Sequence, residues 1–311
     1  MPKLFAAAQK LLTVNLNVKK AEKVVVVTDR QKCRIFSSVC KAVNDLGCTL
    51  VEVHISPNRL HSEPLPKFSS TFNSADVIIG ITDKSITHCP ETTLARKHHG
   101  TRVITMVQVN EELFLKAMSA DRKKISSLAK KLSRRLKSSK LVTLTTKSGA
   151  NFTVRVDPKA VSIDNGDSTK RGSVNNVPFG EVALLPISAA SGTVSIDYAR
   201  NHIMPRDKAR VVLKSGKIVD WTETAKSFVH YLKKADGSKA LRIVELGFGV
   251  NPAHKSLRFS IIHDEKIIGS VHVAFGGFGV KRKCKIHEDV IILKPTVWFD
   301  SRMVIKNGKI L

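Results

Sequence analysis

Lys23-Val-Val-Val-Val-Thr-Asp29 is the stretch that decides the fold. Four consecutive valines leave no polar face, so the strand they form must be covered on both sides, as strands of parallel sheets are. Thr49-Leu-Val-Glu-Val-His-Ile55, Ala75-Asp-Val-Ile-Ile-Gly80 and Thr101-Arg-Val-Ile-Thr-Met106 are further runs rich in β-branched residues. Between these runs, Ile35 to Leu46 has helical spacing and stops at Gly47, while a helix from about Pro90 to His99 is closed by Gly100. Strands alternating with helices predict a parallel sheet with helices on both faces. No glycine-rich loop follows Thr28 and Asp29 and no P-loop lysine pattern occurs, so nothing marks a nucleotide site. Ser85-Ile-Thr-His-Cys-Pro90 falls at a strand-to-helix junction, where His88 is either a substrate contact or a surface imidazole beside a helix cap.

Beyond Lys140 the pattern changes. Leu141-Val-Thr-Leu-Thr-Thr146, Asn151-Phe-Thr-Val-Arg-Val156, Gly192-Thr-Val-Ser-Ile196 and Ala209-Arg-Val-Val-Leu213 alternate polar and apolar residues, as half-buried strands do. Lys214-Ser-Gly-Lys217 and Lys306-Asn-Gly-Lys309 read as hairpin turns, and Thr222 to Lys233 as a helix. Asp121 to Lys140 carries nine basic residues around an apolar stripe of Ile125, Leu128, Leu132 and Leu136, which predicts a packed helix with a solvated basic back. The expected class is therefore α/β: a parallel-sheet domain over 1–140, ending in the basic linker helix, followed by a β-rich α+β domain over 141–311.

Composition bounds the partners. With 42% hydrophobic and 25% charged residues the chain is an ordinary globular protein. A net charge of +26 favours anionic partners. Specific nucleic-acid binding is nevertheless not expected, because aromatic residues are only 5% and leave few stacking platforms. The five cysteines form no CxxC pair, which predicts free, buried thiols in a reducing, cytoplasmic compartment. Neither a signal peptide nor a membrane span is expected, since no window is apolar over eighteen residues.

Residues able to carry chemistry concentrate in the second half. His287-Glu-Asp289 sets an imidazole and a carboxylate two residues apart, on one side of a strand, with Glu288 facing away. Gly269-Ser-Val-His-Val-Ala-Phe275 holds a single imidazole, His272, in a run of small and apolar residues. Asn176-Val-Pro-Phe-Gly-Glu-Val-Ala183 and Arg242-Ile-Val-Glu-Leu-Gly-Phe-Gly249 place Glu181 and Glu245 beside apolar strands. A carboxylate in such surroundings needs a lysine partner or a metal. Together, Glu181, Glu245, His272, His287 and Asp289 offer oxygen and nitrogen donors suited to zinc, cobalt, manganese or ferrous iron. If both glutamates ligate, two ions and an activated water suit peptide or amide hydrolysis. If only His272, His287 and Asp289 ligate, they make a two-histidine, one-carboxylate set open to dioxygen on one Fe(II), and a glutamate is left as acid or base.

On these stretches, together with Glu245-Leu-Gly-Phe-Gly-Val-Asn-Pro252, Asp264-Glu-Lys266 and Pro295-Thr-Val297, the chain resembles the thermophilic metallo-aminopeptidases, the aminopeptidase T or M29 family. The weaker likeness of Ala75-Asp-Val-Ile and Ser85-Ile-Thr-His88 extends it over nearly the whole length. The resemblance implies that Glu181, Glu245, His272, His287 and Asp289 hold two divalent ions, that the substrate is a small peptide, and that the protein is a homodimer. One position departs: the aminopeptidases have tyrosine seven residues past the first ligating histidine, and here it is Gly279. A related branch, the dihydroxypyridine ring-opening dioxygenases, resembles the chain more distantly and implies one Fe(II) on two histidines and an aspartate, without that tyrosine.

Overall fold

The computed structural model describes residues 2–59, 62–185, 187, 189–277 and 284–311, so Gly279 lies outside the described residues. The chain forms two compact units, Met1–Arg122 with Asp164–Phe179, and Lys123–Ile163 with Gly180–Leu311.

In the first unit, the Lys23–Thr28 strand pairs in parallel with Thr49–His54 on one side and Val77–Thr82 on the other. Arg102–Val107 follows in the same direction, and Val174–Asn176 closes the sheet. Val24 to Val27 are fully buried, which is why four valines were needed; each buried valine contributes about 1.5–3 kcal/mol. The predicted helices form at Arg34–Asp45 and at Pro90–Leu94, the latter continuing as a wider turn to His99. Gly47 and Gly100 adopt positive φ, as terminating glycines do. In this strand order a ligand crevice would open between Lys23–Thr28 and Val77–Thr82. There the buried Asp29 carboxylate accepts the N–H groups of Asp83 at 2.7 Å and Lys84 at 3.0 Å, so the turn closes on a side chain of the protein itself. His88 is exposed in the loop before Pro90.

A single division at residue 140 is not what the chain does. It leaves the second unit at Asp164 to supply the fifth parallel strand, and returns at Gly180. Val174-Asn-Asn176 is too short and too polar to register as a buried strand by pattern. The basic helix runs over Arg122–Lys137, with Ile125, Leu132 and Leu136 buried, and belongs to the second unit from Lys123 onward.

The second unit holds two sheets. The larger has eight strands, all antiparallel, from Lys217–Trp221 at one edge to Lys309–Ile310 at the other. Both predicted hairpin turns occur, with Ser215, Gly216, Asn307 and Gly308 all at positive φ, as this tight turn requires. The smaller sheet runs Tyr198–Ala199, His287–Ile292, Val271–Gly276, Ile243–Gly249, Glu181–Leu184 and Val161–Asp164. The helix predicted over 222–233 starts later, at Lys226, after a short 3-10 turn, and reaches Asp236. All five cysteines are free; Cys40 and Cys89 are buried and the other three half-buried. No described helix is long and apolar enough to cross a membrane.

Candidate metal centre

Strand register explains how four distant segments meet. Across the antiparallel pairs, Gly247 lies opposite both Ala183 and His272, and Gly249 lies opposite Glu181. Glu245 lies opposite Ala274, which in turn faces Asp289, while Gly276 faces His287. Partners directly across an antiparallel sheet share a face, as do residues two apart along a strand. Glu181, Glu245, His272, His287 and Asp289 therefore stand on one face, over a floor of Ala183, Gly247, Gly249, Ala274 and Gly276. The floor has to be small: a Cβ on Gly247 would lie 2.0 Å from Cε1 of His272. All five residues predicted from sequence are thus brought to one place.

They meet as two groups rather than one. Glu245, His287 and Asp289 form the first, and Glu181, Glu265 and His272 the second. In the first, His287 Nε2 is 3.4 Å from Asp289 Oδ2 and 3.5 Å from Glu245 Oε2. Donors bound at about 2.1 Å to one tetrahedral ion are themselves about 3.4 Å apart. This group fits a divalent ion. Glu245 joins the groups, because its other oxygen, Oε1, is 3.7 Å from His272 Nε2. His272 Nε2 is also 3.5 Å from Glu181 Oε2.

Two residues of the site carry no role in the sequence reading, Glu265 and Lys266. Lys266 is fully buried, and its Nζ lies 2.8 Å from Glu181 Oε2 and 2.8 Å from Glu265 Oε1. The short helix Ile261–Asp264 delivers them, held by the Asp264 carboxylate, which accepts the N–H groups of Arg258 and Ser260. The available signal was three adjacent charges, Asp264-Glu-Lys266, bracketed by the isoleucine pairs Ile261-Ile262 and Ile267-Ile268. Glu181 therefore has the lysine partner that a buried carboxylate permits. Among the described residues, Glu245 and Asp289 have histidines instead.

The electrostatics follow from this crowding of carboxylates. Burial alone would lower the His272 imidazole, but Glu245, Glu181 and Glu265 outweigh it and raise its pKa to about 9. His287 behaves likewise: burial opposes the charge, yet Asp289 and Glu245 carry it up to about 9. Burial pushes Glu265 upward, against the pull of Lys266. In the metal-free protein both imidazoles hold protons at neutral pH and must release them to ligate. Metal affinity is therefore expected to rise with pH up to about 9, by about tenfold per unit for each imidazole proton displaced. Titration in buffers of differing ionisation enthalpy measures the protons released; affinity independent of pH would contradict it.

Glu288 points to the other face, as alternation predicts, where the Tyr231 hydroxyl donates to it at 2.9 Å. That bond ties the ligand-bearing strand to the Lys226–Asp236 helix. Tyr231→Phe is expected to cost about 1 kcal/mol of stability, measured by denaturant unfolding, without loss of metal.

Two solved structures share the fold. That of 2,5-dihydroxypyridine dioxygenase from Pseudomonas putida KT2440 aligns over 99% of this chain and 96% of its own, with TM-score 0.82 and 17% identity. Wild-type AmpT from Thermus thermophilus aligns over 100% of this chain and 99% of its own, with TM-score 0.67 and 13% identity. At such identities the likeness speaks for the fold. No curated protein matches the sequence. The sequence profile of one family, however, matches residues 3–311, and the chain belongs to that family, NicX, 2,5-dihydroxypyridine 5,6-dioxygenase.

Proposed function

We propose that the protein is a one-ion, Fe(II)-dependent oxygenase that opens a hydroxylated nitrogen heterocycle. The observation that carries this reading is Lys266. Its ammonium already provides the positive charge that Glu181 and Glu265 need, which leaves one group, Glu245 with His287 and Asp289, open to a divalent ion. Family membership supports the same reaction class.

A ferrous ion bound there would bring dioxygen and the ring onto one centre and supply the electrons for their first contact. The protein's own residues set the conditions. His287, Asp289 and Glu245 would hold the ion. This changes the His272, His287 and Asp289 set expected from sequence, because the His272 ring nitrogen gathers with Glu181 and Glu265 instead. His272 faces the other oxygen of Glu245 and can keep or give up a proton at Nε2. Burial raises Glu265 to about 7 against the pull of Lys266, so it can take up or release a proton near neutral pH while paired with the ammonium. Ring opening by dioxygen places both oxygen atoms in the product and needs no further reductant.

A second reading, a two-ion aminopeptidase-like hydrolase, is favoured by Glu245. Its two oxygens face two different histidines, as a carboxylate bridging two ions would. Counting metal in anaerobically purified protein separates the two. One iron per chain, with oxygen uptake in the presence of a dihydroxypyridine, is expected. Two zinc, cobalt or manganese ions, with amino acids released from short peptides, would overturn the oxygenase reading.

A further inference from the structure

We infer that Lys266 is a built-in cation that closes a latent second metal site, formed by Glu181, Glu265 and His272. The inference rests on the one-ion reading above and goes beyond it, because it predicts what the chain becomes without the lysine.

The group has what a divalent ion requires. One ligand atom from each of the three residues lies within 4.8 Å of the other two. The separation of 3.5 Å between His272 Nε2 and Glu181 Oε2 is close to the edge length of about 3.4 Å for donors sharing a tetrahedral ion. His272 is 1% exposed, and the side chains of Glu181 and Glu265 are 12% and 10% exposed. Two carboxylates removed from water to this extent cannot stay ionised without a cation at hand. Lys266, with no exposed surface, supplies it from within the chain, at 2.8 Å from each.

The backbone of Lys266 is anchored as well as its head. The Lys266 carbonyl accepts the Asn251 N–H, and its own N–H donates to the His263 carbonyl. The ammonium is thus tethered at a fixed point, whereas a dissolved ion must be captured from solution. The tethered charge already neutralises the carboxylates that a divalent ion would need and stands beside both of them. Removing the side chain beyond Cβ leaves both carboxylates and the space, where a divalent ion then competes with protons alone rather than with a fixed ammonium.

The test uses the full-length protein loaded anaerobically with Mn(II) alone, followed by elemental analysis and electron paramagnetic resonance. The unaltered protein is expected to bind one Mn(II) per chain. Lys266→Ala is expected to bind two, with the spectrum of an exchange-coupled pair, because Glu245 reaches both groups. Lys266→Met, which fills the same space with an uncharged stem, is expected to stay at one. One ion in a folded Lys266→Ala protein would overturn the inference and leave the one-ion reading intact. Two ions in the unaltered protein would overturn both. Should Lys266→Ala fold only when Mn(II) is present, the ion has replaced the ammonium and the inference stands. A chain that stays unfolded at millimolar Mn(II) would show that the ammonium is not replaceable by an ion.

Discussion

Replacing Asp289 or His287 with alanine is expected to abolish metal uptake, whereas Glu288→Ala retains it. The three positions are consecutive, and hydrophobicity or distance along the chain cannot separate them. Register does. His287 and Asp289 share a face with Glu245, at 3.5 Å and 3.4 Å around one imidazole nitrogen, while Glu288 bonds to Tyr231 on the opposite face. Losing an outer-shell partner typically weakens a metal site ~10–100-fold, so losing one of three ligands should exceed that range. Calorimetric titration with Mn(II) gives the affinities. Comparable loss in all three variants would reject the assignment of the metal face.

Gly247→Ala should have the second largest effect, and it strikes a residue with no functional group. The added methyl would sit 2.0 Å from Cε1 and 2.1 Å from Nε2 of His272, inside any contact distance, so the imidazole must leave its place. His272 stands on a central strand whose neighbours are fully buried, so there is little room for it to move into. Overpacking of this kind costs about 1–3 kcal/mol. Expected together are a lower melting temperature and loss of the His272 contacts to Glu181 and Glu245, visible as a shifted imidazole resonance in the nuclear magnetic resonance spectrum. An alanine variant with unchanged melting and an unshifted resonance would contradict the tight seat assigned to the ring.

What the sequence disclosed followed from repetition and from expense. Four valines in a row demand a covered strand, and an Asn-Gly pair demands a positive-φ turn, so Lys23–Thr28 and the Lys306–Lys309 hairpin were readable one residue at a time. Glu245 and His272 stood out because polar groups in apolar strands are costly and need a reason. Grouping was not readable. Nothing local tells that Glu245 turns one oxygen to each histidine, since that depends on the pairing of strands far apart in the chain. Lys266 was hidden for a different reason. In a chain with 52 lysines and arginines, one more cation carries no information until its burial is known. The strand Val174–Asn176 leaves no local signal because its place in the sheet comes from its neighbour's free edge and not from its own side chains.

That strand limits how the protein can be dissected. Since residues 164–179 leave and rejoin the second unit, no single cut releases either unit as one continuous piece. A fragment beginning at Lys123 would carry Val174–Asn176 without the Arg102–Val107 edge it pairs with, exposing a bare strand just ahead of Glu181. A fragment ending at Arg122 would expose the other half of the same pairing. Separating the units as soluble pieces calls for rejoining Ile163 directly to Gly180 through a short designed linker, and expression trials on halves cut at one point are expected to yield aggregates.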